Sequence, residues 1–141
     1  VIPTIITQLL SGVTEIKLGS LHPTRDFNYV KDTAAGFIAL AKCDEAVGQE
    51  VNIATQEEIS IGQLAREMIN QINPNASMVT DDVRLRPEKS EVERLLGSNV
   101  RIKALTGWTP HFNLKTGIEE TIAWFRKPEN LAKYKADIYN L

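Results

Sequence analysis

The stretch HPTRDFNYVKD, residues 22–32, sets Arg25 beside Asp26, then an apolar–aromatic alternation, then Asp32. Paired charges are costly to hold beside a strand unless something there uses them. Read alone, the pair fits a strand edge carrying an ordinary ion pair, and the purpose of the arginine stays open. The other residue types able to do chemistry are few. His22 and His111 each stand alone, with no Cys or His at metal-ligand spacing, and read as loop or surface residues. Cys43 ends an apolar helical run and reads as an inert thiol. A dinucleotide cradle needs closely spaced glycines after a strand, so that backbone can approach phosphate. The eight glycines are spread along the chain and form no such cluster. No Tyr is followed four residues later by Lys: Thr33 follows Tyr29, and Ile138 follows Tyr134. The chain carries no recognisable catalytic set of its own.

The totals bound the partners. A chain of 141 residues, 43% apolar and 24% charged, is the size and composition of one globular domain with a working core. A formal net charge of −2 supplies no basic field, which argues against nucleic acid. No apolar run approaches membrane-spanning length, and no signal-peptide layout opens the chain. A single cysteine excludes an internal disulfide framework and suits a cytoplasmic location. Val1 leads straight into a helical pattern, so a larger parent protein is expected.

These residues need elements to position them. Pro3 suits a first helical turn, with Ile5, Ile6, Leu9 and Leu10 at helical spacing until Gly12. EIKLG (15–19) reads as a strand, and FNYV (27–30) as another extended piece. Asp32 is placed to cap a helix whose apolar content is Ala35, Phe37, Ile38, Leu40 and Ala41. EVNIAT (50–55) reads as a strand. Ser60 and Gln63 have capping-box spacing before an amphipathic helix using Ile61, Leu64, Ala65, Met68, Ile69 and Ile72. SMVTD (77–81) is a further strand, and DVRLRPEKSE a charged connection. A short helix capped by Ser98 or Asn99 ends at Gly107, and another begins at Asn113 and buries Leu114, Ile118, Ile122 and Phe125. The content is α/β, with strands too short to make an independent sheet. They read as additions beside helices that cover a larger one. Nothing splits the chain, so residues 1–141 are expected to be one substrate-binding domain.

Four motifs then follow in order: EIKLG-x5-RDFNYVKD, VNIAT, RPEKSEVERLLGS and LTGWTPHFNLKTGIEETIAWF. Together, and over nearly the whole chain, they resemble the C-terminal half of the extended short-chain dehydrogenase/reductases, the NAD-dependent epimerase/dehydratase family. Within it the chain is most similar to the nucleotide-sugar 4,6-dehydratases. RPEKSEVERLLGS and the closing KYKADIYNL resemble the branch acting on UDP- or GDP-linked N-acetylglucosamine in legionaminic-acid-type sugar biosynthesis. GDP-mannose 4,6-dehydratase and the nucleotide-sugar 4-epimerases are the alternatives within the superfamily. A non-catalytic binding or scaffold module is the alternative outside it.

The resemblance implies an α/β fold: the mostly helical C-terminal part of a Rossmann-fold enzyme, lacking the Rossmann core. It implies NAD or NADP held by an N-terminal domain, a cytoplasmic homodimer as the complete enzyme, and a fragment that is inactive alone. It also implies roles. Arg25 would hold the diphosphate of the nucleotide-sugar, since a guanidinium stays charged and can take two phosphate oxygens at once. Arg86 would hold phosphate, and Glu91 ribose hydroxyls, from which a carboxylate accepts two hydrogen bonds. Asn52 would donate near the nucleotide, and Ile16 and Leu18 would flank base and ribose. Each role has a plainer rival. Arg25 could pair with Asp26, Glu91 belongs to a charged run, Asn52 could satisfy strand-end backbone, and Ile16 and Leu18 could be core. Asp26 reads as a structural anchor, and Trp108 as packing.

Overall fold

The computed structural model describes residues 1–85 and 90–134. They divide between two compact units. The first comprises Val1–Pro23, Ser60–Glu93 and Ile118–Leu141, and the second Thr24–Ile59 and Arg94–Gly117.

In the first unit, helix α1 (Ile2–Leu10) packs on α3 (Ile61–Ile72), and strand β1 (Glu15–Leu18) pairs in parallel with β4 (Ser77–Thr80). The register runs from Glu15 opposite Ser77 to Leu18 opposite Thr80. Alternation puts Ile16 and Leu18 inside and Glu15 and Lys17 outside. With Ile5, Ile6, Leu9, Leu64, Ala65, Met68, Ile69, Ile118, Ile122 and Phe125 they make up the buried core of this unit. A two-stranded sheet leaves strand groups without a ladder partner, and the side chain of buried Gln8 supplies one. Its Oε1 accepts from the Lys17 N–H at 2.8 Å, and its Nε2 donates to the Lys17 carbonyl at 3.2 Å. Helix α3 begins at the expected capping box, where the Gln63 N–H donates to Ser60 Oγ and Gln63 Oε1 accepts from the Ser60 N–H. Past α5 (Leu114–Phe125) the short helix α6 (Pro128–Leu131) is tied back by Asn130, whose Nδ2 donates to the Trp124 carbonyl.

In the second unit, β2 (Thr24–Arg25) is the middle strand of a three-stranded sheet, between β3 (Ile59–Ser60) and β5 (Arg94–Leu95). β2 and β5 run parallel, with Thr24 opposite Arg94 and Arg25 opposite Leu95. Helices α2 (Val30–Ala41) and α4 (Val100–Thr106) pack together, and α4 stops at Gly107, whose φ of 73° is the left-handed cap conformation.

Three local expectations are corrected. FNYV is not a strand: the ladder lies earlier, at Thr24–Arg25, and Val30 already starts α2. Asp32 is therefore not the N-cap, which is Tyr29. It sits buried in the first turn, where its Oδ2 accepts from the Phe112 N–H at 2.9 Å. EVNIAT joins no ladder. Side chains engage its backbone instead: Arg101 Nη1 donates to the Glu50 carbonyl and Asn99 Nδ2 to the Ala54 carbonyl. The apolar content of α2 is also turned outward, with Val30, Phe37 and Ile38 69%, 65% and 56% exposed. The closing polar tail falls outside the described residues from 135 onward. No helix among the described residues is long and apolar enough to cross a membrane.

Two substitutions test the packing. A Cβ at Gly97 would overlap that of Ala54, and this neighbour is too short to swing aside. Gly97→Ala should cost about 1–3 kcal/mol in denaturant unfolding. Ser60→Ala removes the cap of α3 and should cost about 1 kcal/mol by the same measurement.

Candidate functional site

Arg25 is half-buried on the central strand β2. Its Nη1 donates to the Thr24 carbonyl at 2.8 Å. The neighbouring Asp26 is an anchor. Its Oδ1 accepts from the Thr55 N–H at 3.0 Å and the Thr55 hydroxyl at 2.6 Å, while its Oδ2 accepts from the Gln56 N–H at 3.0 Å. Gln56 has a φ of 64°, a conformation a non-glycine residue seldom holds without support. The Asp26 N–H in turn donates to the Leu95 carbonyl, continuing the β2–β5 ladder.

Asn52 is exposed in the same unit, on the 50–55 segment whose far end Asp26 fastens. Arg25 and Asn52 are thus on separate segments joined through one carboxylate. Ile16 and Leu18 lie in the first unit and are 0% and 3% exposed, among its core residues. Glu91, half-buried, belongs to that unit too. Arg86 lies outside the described residues. His22 lies in a surface pair, its Nε2 2.9 Å from Glu93 Oε2. Among the described residues no group of three or more His, Cys, Asp and Glu is arranged to hold a metal.

Sequence reasoning missed a polar cluster built on Glu58. Arg94 makes a fork on Glu58: Nε lies 3.0 and 2.9 Å from the two carboxylate oxygens, and Nη2 lies 2.7 Å from Oε1. The Thr24 hydroxyl adds a fourth contact, donating to Oε2 at 2.7 Å. Hydrogen bonds from Arg94 and then Thr24 hold the Glu58 carboxyl at about 2, against an ordinary 4.5, outweighing a small opposing effect of burial. The same contacts push Arg94 further toward its charged form. Glu58 and Arg94 are 36 positions apart, so no local pattern could have paired them.

The profile of a family described as GDP-mannose 4,6 dehydratase matches residues 1–121. The chain belongs to that family. With it the chain takes its place among the extended short-chain dehydrogenase/reductases. It is similar to UDP-N-acetyl-alpha-D-glucosaminuronate decarboxylase of Bacillus cytotoxicus, 30% identical over 92% of this chain and 41% of that one. It is also similar to dTDP-D-glucose 4,6-dehydratase of Homo sapiens, 34% identical over 96% of this chain and 38% of the relative. The solved dTDP-glucose 4,6-dehydratase of Bacillus anthracis, a complex with NAD, shares the fold with a TM-score of 0.75. It is 23% identical, over 91% of this chain and 39% of its own. The chain therefore spans about two fifths of the length of the relatives it matches. The fold is that of Rossmann-type enzymes of the extended family, of which a helix-rich part with few strands is present.

The Glu58 geometry gives a pH prediction. A carboxyl lowered on folding from 4.5 to about 2 stabilises the protein fully above pH 4.5 and loses that contribution as pH falls toward 2. The stability difference between the native protein and Glu58→Gln should be constant above pH 4.5 and shrink below it. Denaturant unfolding of both across pH 2.5–7 measures this.

Proposed function

We propose that this chain is the part of an NAD-dependent nucleotide-sugar 4,6-dehydratase that grips the nucleotide diphosphate. The complete protein would oxidise C4 of the sugar, lose water across C5–C6 and return hydride to C6. Arg25 is the principal phosphate ligand, with Arg86 as a second. Asn52 and Glu91 are donor and acceptor to the nucleotide, and Ile16 and Leu18 shape the base and ribose side from the core they belong to. The observation that carries the reading is the state of Asp26 beside Arg25 in a chain matched by the family profile. Its carboxylate is committed to Thr55 and Gln56. The acidic half of the Arg-Asp motif thus has a structural task of its own, and the family match supports a ligand role for the basic half.

The substrate in this reading is a UDP- or GDP-linked N-acetylglucosamine. That a relative's name specifies a UDP-linked N-acetylated sugar acid supports it. The chain's own residues do not fit NAD or NADP, since its dispersed glycines provide no cradle for a pyrophosphate. The dinucleotide and the proton-transfer groups then belong to another part of a homodimeric, cytoplasmic enzyme, and residues 1–141 alone are inactive. The outward apolar face of α2 and the ladderless 50–55 segment are consistent with such a covering part.

The deciding experiment is nucleoside-diphosphate calorimetry on the complete, folded protein. Arg25→Ala should weaken UDP or GDP binding roughly ten- to hundredfold, the loss of a charge-assisted contact of about 1.5–3 kcal/mol. Arg25→Lys should recover only part, since the charge returns without the planar fork. The bare nucleoside should bind almost unchanged. Full UDP and GDP affinity in a folded Ala variant would overturn the phosphate role.

A further inference from the structure

We propose that Glu58 is a positioning residue for Arg25, clipping together the three short strands of its sheet; this rests on the reading of Arg25 above. The strands are two residues long, too short for ladder hydrogen bonds alone to fix their register firmly. Parallel pairing is also the weaker kind. One carboxylate compensates. Glu58 immediately precedes β3, and its oxygens take Thr24 of β2 and Arg94 of β5. Thr24 and Arg94 are register partners, so a single side chain reads that register directly.

The face on which the clip sits makes it a support. Successive side chains of a strand point to opposite faces, and residues directly opposite each other share one. Thr24 and Arg94 therefore occupy one face with Glu58, while Arg25 and its partner Leu95 occupy the other. The clip holds the sheet from behind without competing for the ligand of Arg25. It also commits the guanidinium of Arg94, which rules out Arg94 as a second phosphate ligand in this arrangement. An exposed ion pair is ordinarily of small consequence. Forked geometry on a shared carboxylate is the exception, because it fixes orientation as well as distance.

The test uses the complete protein and four variants: Glu58→Gln, Thr24→Val, the exchange Glu58→Arg with Arg94→Glu, and Arg25→Ala. Two readouts are taken, amide exchange at Asp26, whose N–H bonds Leu95 across the ladder, and calorimetry with UDP and GDP, each against its bare nucleoside. Glu58→Gln should accelerate Asp26 exchange and weaken diphosphate binding roughly fivefold, leaving nucleoside binding unchanged. Thr24→Val keeps the Glu58–Arg94 pair, and should give a smaller loss of the same selectivity even if Glu58→Gln folds poorly. The charge exchange should restore most of the affinity. Native diphosphate affinity in folded Glu58→Gln and Thr24→Val proteins would overturn the proposal, as would an equal loss for diphosphate and nucleoside. If Arg25→Ala itself retained affinity, the phosphate reading would fall first, so the two failures are separable.

Discussion

Three carboxylates hold the second unit together where its backbone cannot. Strands of two residues offer too few ladder bonds to define a sheet, and the 50–55 segment has none. Asp26 fastens the Thr55–Gln56 turn, Asp32 fastens Phe112, and Glu58 fastens β2 to β5. Each bond closes a long stretch of chain, and two of the three end on backbone N–H groups that must otherwise find water. A carboxylate accepting several such bonds is stronger per contact than a neutral acceptor. The unit thus owes much of its local geometry to charge-assisted hydrogen bonds beside a small apolar core of Ala54, Ile102 and Trp108, whereas the first unit rests on the larger core of α1, β1, α3 and α5.

That difference decides what could be read from the sequence. Where burial organises the chain, periodicity shows it: α1, α3, β1 and β4 lie where the spacing of apolar residues puts them, and Ser60 and Gln63 mark the start of α3. Where side-chain carboxylates organise it, no period exists. FNYV and EVNIAT have strand composition but no ladder, and the true strands are too short to leave a pattern. Asp32 looked like a cap because an acidic residue before an apolar run usually is one. Its helix starts two residues earlier, and its carboxylate is spent 80 positions away. Of the candidate site, Arg25 was legible through its motif, while the Glu58–Arg94 fork behind it was not. The motif is contiguous and the fork is purely tertiary.

The outward face of α2 belongs to the same account. Burying a side chain such as Phe37 or Ile38 contributes about 1.5–3 kcal/mol, and Val30 and Val47 of the same unit are exposed as well. A shallow groove of about 220 Å³ lined by Leu40, Ala46, Val47, Gln49 and Val51 adds further uncovered apolar surface. Against a total stability of about 5–15 kcal/mol for an ordinary domain, that much unburied surface is a large fraction. Its covering, in the proposed reading, falls to the part of the enzyme that carries the chemistry.

On that reading, binding would be coupled to assembly. In the proposed reading Arg25 would act well only if its strand is fixed, because a diphosphate ligand rewards a fork held at one angle and gains little from a guanidinium that wanders. The strand is held by Glu58 at Thr24 and, through Asp26, by the 50–55 segment. That segment has no ladder of its own, so whatever pairs with it also steadies Asp26 and hence the neighbouring arginine. Docking of the catalytic part would then order the phosphate grip, and the substrate would meet a finished site only where reaction can follow.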